Sequence, residues 1–403
     1  MIRLRTQEQK VMRDPVHEYI HIDYQIIWDV INSAEFQRLR RIHQMGTSYQ
    51  VYHTAEHSRF SHSLGVYEII RRMVTEVEGL KDYLSEEEKI EVMLAGLLHD
   101  IGHGPFSHLF ERVMNPSHEE MTHRILVEAS EVHHILEAYE PNLSLRVASI
   151  LDHTHSKKVL NSLISSQMDA DRMDYLLRDA SFTGTSYGQF DLERILRTLR
   201  IVGDRLVIKY SGIHTVEDYI MARYHMYWQV YFHPASRSIE AILLAYFKRL
   251  QDLGKVDDGI YLKYPMFTFL KHPETISLKE HYRLDESSCF YGFQCTQEDQ
   301  DPILADLSTR ILNRKLFDYK DIQSEDEVEK VKQDLLKRGF DPTYYLYTDS
   351  AEKRPYFPYN EENSLIYVLM PNQEVKELSQ VSNIVHAIVN ATQKLEKKVF
   401  FPK

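Results

Sequence analysis

The chain has 403 residues, 43% of them apolar, with 48 basic against 60 acidic side chains and a net charge of −12. At about 100 to 200 residues per domain this length predicts two or three domains with ample material for a core, which excludes a disordered chain, a peptide hormone and a minimal binding module. The negative sum argues against a protein that holds nucleic acid by neutralising phosphates over its whole surface.

Met1 to Glu8 lacks the apolar stretch of a signal peptide, and no run approaches the 18 or so apolar residues of a membrane span. The expectation is a soluble, cytoplasmic protein without a membrane partner. Next comes Asp14–Asp23, DPVHEYIHID, which reads as a small hairpin. From about Phe36 to about Gln251 helical signals dominate. Ser85 to Glu88 forms a capping box ahead of Ile90, Met93, Leu94 and Leu97, spaced i, i+3, i+4, i+7. That helix runs into His99-Asp100 and is broken by Gly102-His103-Gly104-Pro105. Pro105 is placed to open a helix reaching Met114. Phe190–Ile201 and Val216–Tyr231 read as helices, and Arg205–Tyr210 as a short strand.

Beyond about Lys255 the pattern changes to short aromatic and β-branched runs, IYLKY, CFYGFQ, YYLYT and SLIYVLM, interleaved with helices such as Glu327–Arg338. The predicted fold is mainly α. Residues 1–255 form a helical core with the N-terminal hairpin, and residues 256–403 a smaller α+β region assigned to regulation or assembly. Cys289 and Cys295 are too few for a disulfide framework and read as packed, reduced thiols on one face of a strand.

Of 21 histidines, 11 fall between His43 and His134, so the chemistry is expected there. His99-Asp100 closes the apolar turn Leu94–Leu98, where an uncompensated carboxylate is costly to bury. Either a divalent cation compensates it, or Asp100 ends a helix beside a solvated histidine. The context favours the cation. With His62 in RFSHSLGV and Asp171 in MDADRMDY, these residues complete an H…HD…D pattern that leaves coordination positions open for water and a substrate oxygen. HDIGHGPFSH adds His103 and His108, and Ser117-His118-Glu119 adds His118, for phosphate contacts and proton transfer. Asp171, Asp174, Tyr175 and Arg178 follow helical spacing, so Asp171 and Tyr175 can face one pocket.

From about Lys10 to Tyr246, through DPVHEYI, FQRLRRIHQMG, RFSHSLGV, AGLLHDIGHGPFSH and DADRMDYLLRD, the chain resembles the HD-domain deoxynucleoside triphosphate triphosphohydrolases. The likeness is to those related to the enzymes with a SAM domain before the HD domain; with thirteen residues ahead of Asp14, the expectation is the HD part without it. The resemblance implies an HD-domain helical metallohydrolase core. Its metal ligands would be His62, His99, Asp100 and Asp171, holding one or two divalent ions (Mn, Fe, Mg or Zn). It implies His108 as general acid with Glu111 three residues on, where the family commonly has Asp, and His103 and His118 near the α-phosphate. Arg59, Arg172 and Arg223 resemble the triphosphate contacts, with Arg172 standing where Lys is frequent. Tyr175, Asp179 and Tyr231 resemble the sugar contacts, and Gln44 the glutamine that reads the 3′-hydroxyl.

A second cluster, Lys10, Asn32, Gln37, Arg40 and Arg194, resembles an allosteric site for a guanine nucleotide or dNTP between the subunits of a homo-tetramer or dimer of dimers. Asn32 stands where Asp is usual, and Arg38–Arg41 reads equally as a solvated basic helix face. The implied activity is cleavage of a dNTP to deoxynucleoside and inorganic triphosphate. The alternatives are an HD-type nucleotidase or phosphodiesterase and a nucleotide sensor without turnover; a nuclease is disfavoured by the charge.

Overall fold

A computed structural model describes residues 5–114, 116–351, 365–390 and 396–403; the side chains of Gln7, Gln9, His108 and Ala351 lie outside that description. The N-terminal segment forms the expected hairpin, β1 (Arg5–Asp14) against β2 (Glu18–Tyr24), with Asp14 opposite Glu18. Its turn is built by sequence chemistry: Asp14 Oδ1 accepts the N–H groups of Val16 at 2.9 Å and His17 at 3.0 Å, and Pro15 has no N–H to satisfy. Ile20, Ile22 and Tyr24 alternate inward from β2 onto the helices.

Those helices follow as α1 (Gln25–Ile31), α2 (Ala34–Arg38), α3 (Arg59–Glu76), α4 (Leu80–Tyr83) and α5 (Glu86–Leu98). Next come α6 (His108–Glu111), α7 (His118–Val127), α8 (Glu131–Tyr139), α9 (Leu143–Leu151), α10 (Lys158–Ile164) and α11 (Ala170–Thr183). The capping box at Ser85 is present, with Ser85 and Glu88 bonding each other's backbone N–H. α3 is buried on most of its faces, Arg59, His62, Ser63 and Glu68 included, and packs between α5 and α11. Gly96 permits the α3–α5 contact, since a Cβ there would lie 2.1 Å from Ile70 Cδ1.

α12 (Leu192–Thr198) leads into β3 (Leu199–Val202) and β4 (Arg205–Lys209), then α13 (Ile213–Met226), a π-helical turn (Tyr227–Tyr231) and α14 (Pro234–Val256). The remainder is α15 (Ile260–Lys263), α16 (Leu278–His281), α17 (Glu286–Thr296), α18 (Pro302–Leu312), β5 (Asp318–Asp321), α19 (Glu325–Lys337), α20 (Pro342–Tyr345), β6 (Tyr347–Ala351), β7 (Tyr367–Leu369), β8 (Val375–Glu377), α21 (Asn383–Asn390) and β9 (Glu396–Phe401). Strands order as β3-β4-β7-β8, with β4 and β7 parallel, and as β5-β9-β6, all antiparallel. The mainly α class is as expected.

Several local expectations are corrected. CFYGFQC is helical, within α17: Asp285 and Ser288 cap its start, Cys289 and Phe293 bury at i, i+4, and Gly292 lies against Phe267, where a Cβ would meet Cζ at 2.2 Å. IYLKY is the helical turn α15, and YYLYT is split, because Asp341 and Pro342 start α20 before β6 begins. Within SLIYVLM, Tyr367–Leu369 is strand and Ser364 lies outside the described residues. The helix expected from Pro105 to Met114 shrinks to α6, because Phe106 and Ser107 take φ of 62° and 57°. The helix expected over Phe190–Ile201 stops at Thr198, where β3 pairs with β4.

Candidate active site

The first turn of α3 carries His62, the end of α5 presents His99 and Asp100, and the first turn of α11 presents Asp171. Each imidazole has one nitrogen committed. His62 Nδ1 bonds Asp174 Oδ2 at 2.8 Å and His99 Nδ1 donates to the Gly96 carbonyl at 2.8 Å, so both Nε2 lone pairs point the other way. Both Nε2 atoms are buried without a hydrogen-bond partner among the described residues. They face carboxylates: His62 Nε2 lies 3.1 Å from Asp171 and 3.7 Å from Asp100, and His99 Nε2 lies 3.4 Å from Asp100 and 3.7 Å from Asp171. Ligand atoms about 2.1 Å from one divalent ion sit roughly 3 to 3.5 Å apart, so this set fits a cation.

The electrostatics agree. Burial opposes a charge on His62, yet the Asp171 and Asp174 carboxylates beside it push its pKa up to about 10. His99 is raised as well: burial opposes its charge, but Asp100 and Asp171 outweigh it. Burial likewise opposes ionised Asp171 and Asp100, but the imidazoles, and for Asp100 chiefly Arg59, hold both below the ordinary carboxylate value. The cluster calls for positive charge at its centre, which a divalent ion supplies in place of protons.

Beside it the rings of His103 and His118 stack, and His118 Nδ1 bonds Glu111. His103 Nε2 lies 3.3 Å from Asp100, so Asp100, His103 and His118 form a second group able to hold an ion. Burial and the neighbouring Arg59 push the His103 pKa well below its usual value. The side chain of His108 lies outside the described residues; its backbone opens α6, three residues before Glu111.

A cavity of about 470 Å³ opens onto Asp100, His103, His118 and Asp171, and Gln44, Arg59, Tyr175, Asp179, Arg223 and Tyr231 also line it. Tyr231 donates to Asp179 Oδ2 at 2.7 Å, and His57 Nε2 bonds the other oxygen at 2.7 Å. Tyr175 meets Tyr231 edge-on at 6.2 Å. Gln44 Oε1 is buried without a partner among the described residues. Arg59 pairs with Asp100 and donates to Ser107 Oγ at 3.1 Å, while Arg223 donates to Gln167 at 2.6 Å. Arg172 departs from expectation: its guanidinium turns to Asp169 and the Ser166 carbonyl rather than lining the cavity.

Four residues of the second cluster form one connected run. Lys10 lies 4.7 Å over the Trp28 ring, Asn32 Nδ2 donates to the Trp28 carbonyl, Gln37 Nε2 donates to the Ile31 carbonyl and Gln37 Oε1 accepts from Arg40 at 2.9 Å. Arg194 is held elsewhere, on α12, donating to the Ser211 carbonyl at 3.1 Å. His57, held on Asp179, and a second part of the cavity wall, Arg112, Arg237 and Glu240, carry no motif in the sequence that marks them. Arg112 donates to Tyr347 and Arg237 to Asp349, so β6 of the C-terminal region braces the cavity. The i, i+3 spacing of Arg237 and Glu240 after Pro234 marks only a shared helix face.

Residues 59–179 match the HD domain and residues 190–264 the HD associated region. The chain belongs to the HD-domain phosphohydrolase superfamily. It is 46% identical to YwfO of Bacillus subtilis over 99% of this chain and 93% of that protein. It is 26% identical to the human deoxynucleoside triphosphate triphosphohydrolase SAMHD1, over 68% of this chain and 50% of SAMHD1. The crystal structure of a phosphohydrolase from Bacteroides thetaiotaomicron superposes with a TM-score of 0.86 at 28% identity, covering 98% of this chain and all of that one. Among the described residues no helix is long and apolar enough to cross a membrane.

Proposed function

We propose that the protein hydrolyses deoxynucleoside triphosphates at the α-phosphorus, releasing deoxynucleoside and inorganic triphosphate. The observation that carries this reading is one cavity that brings together a cation-demanding His/Asp cluster, four arginines and a wall of Tyr175, Tyr231 and Asp179. His62, His99, Asp100 and Asp171 would hold the ion, and Asp100, His103 and His118 a second one. A divalent ion there supplies Lewis-acid polarisation and a lowered water pKa, and mixed nitrogen and oxygen ligation accepts Mn, Fe, Mg or Zn.

The chain's own groups do the rest. Arg59 and Arg223 offset the triphosphate charge, and His103, kept neutral, donates a hydrogen bond toward the α-phosphate. His108 gives a proton to the departing 5′-oxygen as water bonds to phosphorus. Tyr175 and Tyr231 pack where a 2′-hydroxyl would fall, and Asp179 and Gln44 take the 3′-hydroxyl. We further propose activation by a guanine nucleotide or dNTP bound by Lys10, Asn32, Gln37 and Arg40, with Arg194 completing the site from another copy in a homo-tetramer. The HD likeness to SAMHD1 dNTPases supports both parts.

The test is the fate of an α-phosphate label when each dNTP, alone and in pairs, is incubated with protein and Mn²⁺. Label in triphosphate supports the reading. Label in a deoxynucleoside monophosphate or in orthophosphate selects another HD phosphohydrolase, and bound nucleotide without product selects a sensor.

A further inference from the structure

A ligating imidazole is aimed by the group that holds its other nitrogen. Behind His62 that group is Asp174, and behind Asp174 stands a run of buried charge that leads to the N-terminal hairpin. Asp174 Oδ1 accepts from His17 Nε2 at 2.6 Å and from Arg178 Nη2 at 2.9 Å; Arg178 Nε bonds Oδ2 at 2.9 Å. Arg178 then reaches Asp14 at 2.8 Å and 3.2 Å. The side chains of His62, Asp174 and Arg178 are fully buried, and His17 is 3% exposed.

α3 is shaped around this run. Gly65 lies three residues after His62, and a Cβ there would stand 1.8 Å from Asp174 Oδ1 and 2.4 Å from Arg178 Nη2. The glycine provides the space that the carboxylate occupies. So many buried ionisable groups are a weak route to stability, since apolar packing does as well or better. What they achieve is direction: with Nδ1 held by Asp174, the Nε2 lone pair of His62 can point only at the Asp100–Asp171 cluster.

We propose that His17, on the turn of the DPVH hairpin, is a positioning residue for the metal ligand His62, acting through Asp174, and that Gly65 is kept clear for that purpose. His17 and Arg178 lock the Asp174 carboxylate in one orientation, and Asp174 sets the tautomer and ring plane of His62. This rests on the metal reading above.

The experiment is titration of chelator-treated full-length protein with Mn²⁺, reading free Mn²⁺ by EPR, alongside thermal unfolding of the metal-free protein. H17A and G65A are expected to weaken Mn²⁺ binding by about 10- to 100-fold. H17Q, whose amide N–H can reach the Nε2 position, is expected to stay within about threefold of wild type, a rescue on the same scale. A merely structural His17 would lower the melting temperature and leave the Mn²⁺ affinity of folded protein unchanged; that result overturns the proposal. Should H17A not fold, H17Q is compared with H17N, whose shorter amide falls short of Asp174, and equal affinities overturn it. Wild-type protein that binds no Mn²⁺ would instead sink the metal reading.

Discussion

The imidazole rings of His103 and His118 lie face to face, with centroids 3.9 Å apart and planes 11° from parallel. Two positive charges at that distance repel by about 4 kcal/mol at an effective dielectric of about 20. Burial with Arg59 alongside pushes the His103 pKa well below its usual value, so His103 stays neutral in the stack. His118→Ala, which removes the partner of Glu111, is expected to lower kcat by about 100-fold. Steady-state kinetics with Mn²⁺ measured in parallel checks it; a loss below about threefold would remove His118 from the chemistry.

Metal binding and proton transfer should separate by mutation. Asp171→Ala is expected to lose both bound Mn²⁺ and turnover, because it removes a carboxylate facing both His62 and His99. His108→Ala is expected to lose about 10²- to 10⁴-fold in kcat while keeping its metal. Elemental analysis of both variants decides, and loss of metal from the second would move His108 into the ligand set.

Tyr231, Asp179 and His57 form one hydrogen-bonded chain in the wall proposed to face the sugar, and Tyr175 meets Tyr231 edge-on. Tyr175→Ala should open space beside the 2′-carbon. The expected result is a fall of about 10- to 100-fold in the ratio of kcat/KM for a dNTP over its rNTP. Competition between dGTP and GTP in one vessel gives that ratio directly.

His281 is buried, and its Nε2 has no partner among the described residues. Burial, reinforced by Arg38 and Arg124, pushes its pKa well below 6.5. The native state refuses a proton that the unfolded chain accepts, so this contribution to stability is full above about pH 6.5 and declines below it, by up to about 1.4 kcal/mol per pH unit. Urea unfolding at pH 7.5 and 5.5 should show His281→Gln losing less stability than wild type across that interval. Equal losses would mean that His281 takes up its proton in the folded state.

The cluster of His62, His99, Asp100 and Asp171 was legible as a group because its residues stand in short motifs that make an H…HD…D pattern, and the fold brings them together. The capping box at Ser85 was legible for the same reason. What escaped was non-local. Arg38, in a run that reads equally as a solvated basic face, is buried and donates to the carbonyls of His103 and Leu284 at 2.9 Å each. His17 and Asp174 are separated by 157 positions. CFYGFQC misled because its aromatic content suggests a strand, while the spacing of Cys289, Phe293 and Thr296 has the period of a helix. At Phe106 and Ser107 two non-glycine residues with positive φ keep the helix expected from Pro105 from starting before His108, and Glu286 of α17 accepts the Phe106 N–H at 3.2 Å from far along the chain.

Attack of water on the α-phosphorus with departure of the 5′-oxygen, as proposed, is read out by ³¹P NMR of the products formed in ¹⁸O-enriched water with Mn²⁺ and paired dNTPs. The expected products are inorganic triphosphate carrying one solvent oxygen on a terminal phosphorus and unlabelled deoxynucleoside. Pyrophosphate or orthophosphate as the phosphorus product, or solvent oxygen in the deoxynucleoside, would contradict the proposal.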